Sequence, residues 1–434
     1  MIYDREQECI SKEDLEQLQI EKLQAALYRV YRNVAFYKNA FDEKKIDIEK
    51  IKSLKDLQNL PFTTKDDLRK SYPYDMFAVP LRDIVRIHAT SGTTGKPIVV
   101  GYTRNDLNTW SSLVARVLTS AGITNQDFVQ IAFNYSLITG GFGFHYGAEK
   151  IGASVIPSSS EDVHKQIMIM KDYKTTALVS TPGYALHIAN VLKEMGMHPE
   201  ELSLKIGLFG AEPWSENLRN QIERDLHIKT FDNYGSSEIM GPGVSFECEE
   251  KSGLHINEDH FIVEIIDPET LSPLKHGEKG ELVITTLTKE GFPLIRYRTG
   301  DISEIIGGKC RCGRTLLRMK RVSGRTDDMI IVDGINVFPS QIEEVLLQNK
   351  EIEPHYQILL SRDEGLEKME IQVEVSDSFP YFDELKKLED LKNHIQDQLN
   401  LTLGIKTKVV LVEPKTLKRS LGNKIKRIID NRDR

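Results

Sequence analysis

The 434-residue sequence is poor in cysteine and tryptophan, with four of the first and two of the second. So few thiols in a chain of this length exclude a disulfide-built scaffold. Basic residues are not in excess: 57 Lys and Arg stand against 65 Asp and Glu, a net charge of −8. That balance argues against nucleic acid or a membrane surface as the main partner. There is no internal repeat and no low-complexity tract, and 40% hydrophobic with 28% charged residues is too apolar for a disordered chain. The opening MIYDREQECI has no basic stretch running into an apolar one, so no secretory signal and a cytoplasmic location are expected. One charge-free stretch, 128–148, has the length of a membrane span, yet it holds Gln130, Asn134, His145 and four glycines. It reads as a buried wall of a soluble enzyme.

What is present falls into three patterns. The first forty residues read as helix, with Ser11 and Asp14 spaced as a capping pair and Ile20, Leu23, Leu27 and Val30 on one face. Between 128 and 232, apolar runs at 128–133, 153–156, 176–180, 204–209 and 228–231 alternate with amphipathic segments near 161–172, 183–196 and 214–226. Strands apolar on both faces, alternating with helices, predict a parallel, doubly wound sheet. From 254 to 306, HINEDHFIVEIID, GELVITTL and DISEII predict antiparallel strands with turns at Asp267-Pro268 and Gly277. After 326 the order strand (DMIIV), helix from Pro339, strand, strand, helix (380–399), strand predicts a small α+β domain of its own. The fold class expected is therefore α/β. A large domain would cover 1–326, with its parallel core at about 80–240 and a β-rich subdomain at about 241–326, and a small mobile domain would cover 327–434.

Ligands of open parallel sheets bind beyond the carboxyl ends of the strands. Three successive strands here run into Thr181-Pro182-Gly183-Tyr184, Gly210-Ala211-Glu212-Pro213 and Asp232-Asn233-Tyr234-Gly235-Ser236-Ser237-Glu238, loops expected to open on one sheet edge. A fourth segment, Ser91-Gly92-Thr93-Thr94-Gly95-Lys96, packs hydroxyls, small residues and a lysine together, as a phosphate-holding loop does. Its spacing is not that of a Walker A loop, and Pro97 stands where Ser or Thr would hold magnesium.

TSGTTGKP (90–97), YGSSE (234–238), YRTGD (297–301), GRTDDMI (324–330) and GNKIKR (422–427), in that order, resemble the motifs of the adenylate-forming acyl-CoA ligases. Within that superfamily the chain looks most like the phenylacetate–CoA ligase branch. The resemblance implies activation of an aryl-acetic acid with ATP to an acyl-adenylate, then transfer to coenzyme A. It implies that Thr90 to Lys96 hold the β- and γ-phosphates and that Gly210, Ala211, Glu212, Pro213, Asp232, Asn233, Tyr234, Gly235 and Ser236 line the nucleotide, with adenine framed by Ala211, Glu212, Pro213, Asp232 and Tyr234. Ser237 would reach the α-phosphate, Asp301 would grip the ribose hydroxyls, Arg325 would add a ribose or phosphate contact, and Glu238 would ligate magnesium. Asp327 falls at the family's hinge and Lys424 at its C-terminal catalytic lysine. The tail departs from the branch pattern by one extra residue and a missing Glu, so Lys426 stays an alternative to Lys424. A homodimer is also implied.

The acid is expected beside 128–148, in a slot lined by Tyr135, Phe142 and Phe144, with Gly140, Gly141 and Gly143 leaving room for a ring and His145, Gly235, Ile239 and Pro242 completing the walls. Phenylacetate, a substituted phenylacetate, an indole-acetate and a benzoate-like acid are all compatible. Separately, Cys248, His255, Cys310 and Cys312 form a candidate structural zinc set, with His260 as the other candidate ligand and buried free thiols as the alternative. Transfer of the acyl group to a carrier protein instead of coenzyme A is the alternative function; no carrier module follows in this sequence.

Overall fold

The computed structural model describes residues 1–90, 96–159, 161–326, 330–332, 335–337, 339–363, 366–376, 385–414, 416–417 and 427–432. These fall into two compact units: Met1–Glu212 with Ile222–Val322, and Pro213–Gln221 with Ser323–Arg434.

The first unit opens with a helix, Lys12–Asn33, started by Ser11, whose Oγ accepts from the Asp14 N–H. Leu23, Leu27 and Val30 are buried as the spacing requires. Ile20 is only half-buried, and the stripe is completed at its start by Leu15 and Gln19. Next come a hairpin of β1 (Arg86–Ala89) and β2 (Val99–Tyr102), antiparallel, and a helix, Arg104–Ser120, capped by Thr103 and Asp106. β3 (Phe128–Ile131), β4 (Ser154–Ile156), β5 (Ala177–Ser180), β6 (Ile206–Gly210) and the start of β7 (Lys229–Ser236) pair in parallel in the order β4-β3-β5-β6-β7. Helices Gly140–Lys150, Val163–Asp172 and Pro182–Glu194 connect them.

One expectation changes here. The Asp232–Ser236 segment is not a loop: β7 runs through it, because β8 (Gly241–Glu247) folds back and pairs with it, Asn233 opposite Phe246 and Ser236 opposite Gly241. The antiparallel strands expected after 254 are present and continue the parallel sheet. β9 (Leu254–Ile256), β10 (Phe261–Ile266), β11 (Lys279–Thr286), β12 (Tyr297–Ile306) and β13 (Arg318–Met319) extend the parallel sheet through β8, in the order β10-β11-β12-β13-β9-β8-β7. One apolar core runs under both halves, from Val129 and Leu208 to Ile256, Leu282 and Ile295. No helix of the described residues is long and apolar enough to cross a membrane.

The second unit contains β14 (Gly324–Arg325). Of the DMIIV run, the described part, β15 (Ile330–Val332), pairs with β16 (Ile335–Val337), a strand hidden in the sequence by its shortness. β17 (Ile352–Asp363), β18 (Leu366–Val375), β19 (Thr407–Val412) and β20 (Ile428–Asp430) then form a sheet in the order β19-β18-β17-β20. Helices Pro339–Leu346 and Leu385–Leu403 pack on it through Ile342, Leu346, Ile395 and Leu399.

Candidate active site

The ends of β5, β6 and β7 lie side by side, as parallel pairing dictates. At β5, Thr181 caps the next helix by accepting from the Tyr184 N–H, with Pro182 at its first position. At β6, Ala211 takes a φ of 68°, a left-handed backbone that a side-chain-bearing residue rarely adopts and that marks functional turns. The strained turn brings Glu212 to accept from the Gly183 N–H at 2.9 Å, which ties the first two loops together. At β7 the register slips between Tyr234 and Gly235, a bulge that re-aims the strand end. Asn233 braces it by donating to the Phe209 carbonyl at 2.8 Å.

Asp301 comes from β12, on the antiparallel side, yet Tyr234 donates to its Oδ2 at 2.6 Å. The two motifs are 67 residues apart in sequence. Ser237 shares a 2.9 Å hydrogen bond with Thr139, just before the Gly140–Lys150 helix. Glu238 is 7% exposed, and its carboxylate makes no hydrogen bond or ion pair with any described residue. A buried anion left without a partner is costly, so this one suits a bound cation. Asp232 is also buried; it pairs with Arg321 at 3.3 Å and its N–H donates to Glu247. Arg321, Glu247 and Thr139 were not anticipated, although Arg321 stands three residues before the GRTDDMI motif.

The phosphate-loop residues divide. Thr90 bridges to Ile98 across the β1–β2 hairpin. Lys96 lies over the Tyr72 ring at 5.4 Å, whereas Ser91, Gly92, Thr93, Thr94 and Gly95 lie outside the described residues. Asp327, Lys424 and Lys426 do as well. Arg325 and Pro213 belong to the second unit, Arg325 in β14.

The expected acid slot is partly corrected. Tyr135 stands edge-on to Phe142, with ring centroids 5.2 Å apart, and shares a 3.3 Å hydrogen bond with His145 Nδ1. His145 Nε2 in turn meets Glu149 at 3.2 Å. Burial, helped by the Glu149 charge, holds the Tyr135 hydroxyl well above the usual phenol range, so it stays protonated. Phe142 also stacks on Tyr146, and the Arg86 guanidinium lies over both rings. Phe144, by contrast, is buried in the core against Phe133. The glycines do not leave room for a ring. A Cβ at Gly143 would strike Pro242 at 2.6 Å and Trp110 at 2.7 Å, and one at Gly140 would touch the Phe133 ring at 3.4 Å. They let the helix pack close on its neighbours. Gly235 is likewise filled by the Gly241 backbone, and Gly210 would meet the Asn233 carbonyl at 2.6 Å. Ile239 is fully buried beside them.

The cysteine–histidine set is assembled. Cys248, His255, Cys310 and Cys312 put one ligand atom each within 4.8 Å of all the others. Cys248 Sγ and Cys310 Sγ are 3.7 Å apart, and Cys312 Sγ and His255 Nε2 are 3.4 Å apart. Burial pushes the His255 pKa down to about 3, leaving a neutral imidazole fit to ligate. His260, the other candidate, is engaged elsewhere, at 2.7 Å from Thr288 and 3.2 Å from Asp259.

Comparison with known proteins agrees with this geometry. Residues 10–288 match the family model described as AMP-binding enzyme, and residues 334–432 match the AMP-binding enzyme C-terminal domain. The chain is 44% identical to a phenylacetate-coenzyme A ligase of Thermus thermophilus over 100% of both chains. It is 43% identical to the Escherichia coli K12 protein of that name, over 98% of this chain and 97% of the other. Among solved structures, 2-hydroxyisobutyryl-CoA ligase in complex with 2-HIB-AMP superposes with a TM-score of 0.92 at 27% identity, covering 99% of this chain and 92% of that one. The chain belongs to the adenylate-forming AMP-binding enzymes, in the phenylacetate-coenzyme A ligase branch.

Proposed function

We propose that the protein is an acid–thiol ligase that activates phenylacetate with ATP and passes the acyl group to coenzyme A. The observations that carry the reading are the meeting of Tyr234 with Asp301 and a buried Glu238 whose carboxylate has no partner among the described residues. In the first step a carboxylate oxygen of the acid attacks the α-phosphorus, the bond to pyrophosphate breaks, and an acyl-adenylate is left. In the second step the coenzyme A thiolate attacks the acyl carbonyl and AMP departs.

Asp301, held by Tyr234, accepts from the two ribose hydroxyls, a role for which a carboxylate's two oxygens are suited. Ala211, Glu212, Pro213, Asp232 and Tyr234 frame adenine, with Gly210, Asn233, Gly235 and Ser236 supporting them, and Ser237 reaches the α-phosphate. Ser91 to Lys96 hold the outer phosphates. Glu238 suits a magnesium ion, a hard cation that takes oxygen ligands and offsets phosphate charge when bound. Arg325 adds a ribose or phosphate contact, and Lys424 bridges the acid and the phosphate during adenylation. We set the boundary of a mobile C-terminal domain at 326/327, with Asp327 as the hinge. Tyr135, Phe142, His145, Ile239 and Pro242 border the aryl ring. Cys248, His255, Cys310 and Cys312 hold a structural zinc ion, since ligand atoms so spaced fit a closed tetrahedron with Zn–S of about 2.3 Å. Four free thiols suit a reducing cytoplasm, and the resemblance implies a homodimer.

The test is pyrophosphate and AMP release from ATP and magnesium with a panel of aryl acids. Phenylacetate should head the panel, and coenzyme A should be consumed with it. A protein that yields AMP with none of the acids overturns the reading.

A further inference from the structure

The segment Glu238–Pro242 carries the candidate magnesium ligand and one wall of the acid slot, and its backbone is suspended from three side chains that lie outside it. Lys289 Nζ donates to the Ile239 carbonyl at 2.7 Å and lies 3.4 Å from that of Glu238. Tyr102 donates to the Met240 carbonyl at 3.0 Å, and Trp110 donates to that of Pro242 at 3.0 Å. The two rings stack on each other with centroids 5.2 Å apart, and the Lys289 ammonium sits 4.4 Å over the Tyr102 ring. The carbonyls of 238, 239, 240 and 242 are thus all engaged, while the Glu238 carboxylate has no hydrogen-bond or ion-pair partner among the described residues.

Lys289 is an unusual residue for this place. It is 2% exposed and has no carboxylate within ion-pair distance among the described residues. Its neighbour Asp106, also buried, accepts from the N–H groups of Glu290 and Gly291 at 2.7 and 2.9 Å, and so fixes the turn that delivers the lysine. Burial lowers the lysine pKa to about 7, against the pull of Asp106 and Glu238. A buried ammonium that serves only packing is costly to keep, and an apolar side chain of that volume would be the cheaper solution. Its retention is explained if its job is to hold a functional backbone.

We propose that Lys289 is a positioning residue for adenylation: through the Glu238 and Ile239 carbonyls it sets the Glu238 carboxylate where the metal–nucleotide complex needs it, and Tyr102 completes the support at Met240. This deepens the proposed function and rests on it. A residue that orients a metal ligand from behind commonly controls metal affinity or activity by about 10–100-fold when removed. Loss of the ammonium should therefore weaken metal–nucleotide binding and the first half-reaction, and should leave thioester formation from supplied phenylacetyl-adenylate nearly alone.

The experiment compares wild-type protein with Lys289→Met, Lys289→Arg and Tyr102→Phe. Manganese is titrated in the presence of ATP by electron paramagnetic resonance, alongside separate assays of pyrophosphate release and of thioester formation. Circular dichroism and zinc content serve as checks of folding. The expected result is a folded Lys289→Met protein with manganese–ATP affinity and adenylation reduced by about 10–100-fold. Thioester formation should change by less than about threefold, Lys289→Arg should recover part of the loss, and Tyr102→Phe should be affected more weakly. A folded Lys289→Met protein with unchanged metal–nucleotide affinity and unchanged adenylation would overturn the inference, as would an equal fall in both half-reactions. Wild-type protein that binds no manganese–ATP would overturn the proposed function itself, an outcome read from a different arm of the same experiment.

Discussion

The cysteine–histidine cluster and the candidate nucleotide site are built on the same continuous sheet, and they are built in opposite ways. In the cluster, four ligand atoms face one another within 4.8 Å and three of the four residues are buried. It is complete without a ligand from outside the chain. In the candidate nucleotide site the side chains do not close on one another around a single point. Asp301 is anchored by Tyr234, Ala211 is held in a strained turn, and the Glu238 carboxylate has no hydrogen-bond or ion-pair partner among the described residues. A closed set of ligands stabilises the fold around it, whereas an open set of unsatisfied groups waits for a substrate. Lesions in the two regions should therefore separate stability from chemistry.

The largest expected effects are on chemistry. Lys424→Ala should abolish adenylation yet spare thioester formation from a supplied acyl-adenylate, measured in separate assays; equal loss in both would show the lysine to be misassigned. Glu238→Gln and Asp301→Ala should each lower pyrophosphate release by about 10²–10³, the usual scale for losing one charge-placing group. The melting temperature should stay close to that of the wild type, and zinc content should not change.

The mirror experiment falls on the other region. Cys310→Ser should remove stoichiometric zinc and cost about 3 kcal/mol or more of stability, seen as a lowered melting temperature, while the protein that remains folded keeps its turnover. A zinc-free variant that melts normally would break the comparison. Next in size is the acid slot. Phe142→Ala removes one ring face and should raise KM for phenylacetate by about tenfold, since burying such a side chain contributes about 1.5–3 kcal/mol. Tyr135→Phe, which loses only the hydrogen bond to His145, should change KM by about fivefold, the equivalent of about 1 kcal/mol.

The smallest effect is a pH dependence that belongs to the structural region. Glu258, buried and accepting from the Leu317 N–H, has its pKa pushed up to about 7 by burial, with the Asp259 charge adding to the rise. Its folded pKa lies above its unfolded one. Folding therefore takes up a proton between about pH 4.5 and 7, and this group's contribution to stability declines as pH rises through that window. Glu258→Gln should flatten the pH dependence of the melting temperature over that range without altering the pH dependence of turnover.

Much of this was legible in the sequence because apolar runs and motif order report directly on burial and on strand ends. Val129, Leu178 and Leu208 announce a parallel core by themselves, and the order of the five motifs points to the enzyme family before any coordinates do. The misreadings have physical causes. Asp232–Ser236 reads as loop because its residues are polar, but its strand character comes from β8, a partner that local composition does not reveal. Glycine suggests empty space, yet Gly143 and Gly235 are places where Trp110, Pro242 and the Gly241 backbone come too close for a side chain. Lys289 was invisible for a related reason. A lone lysine next to a glutamate reads as surface, and only the fold buries it beneath Ile239.

The most direct test of the account is phenylacetate-dependent exchange of labelled pyrophosphate into ATP, in the presence of magnesium and without coenzyme A. The account predicts exchange with the wild-type protein and its near-complete loss in a zinc-replete, folded Asp301→Ala variant. Release of ADP in place of AMP, or exchange that survives Asp301→Ala undiminished, would contradict it.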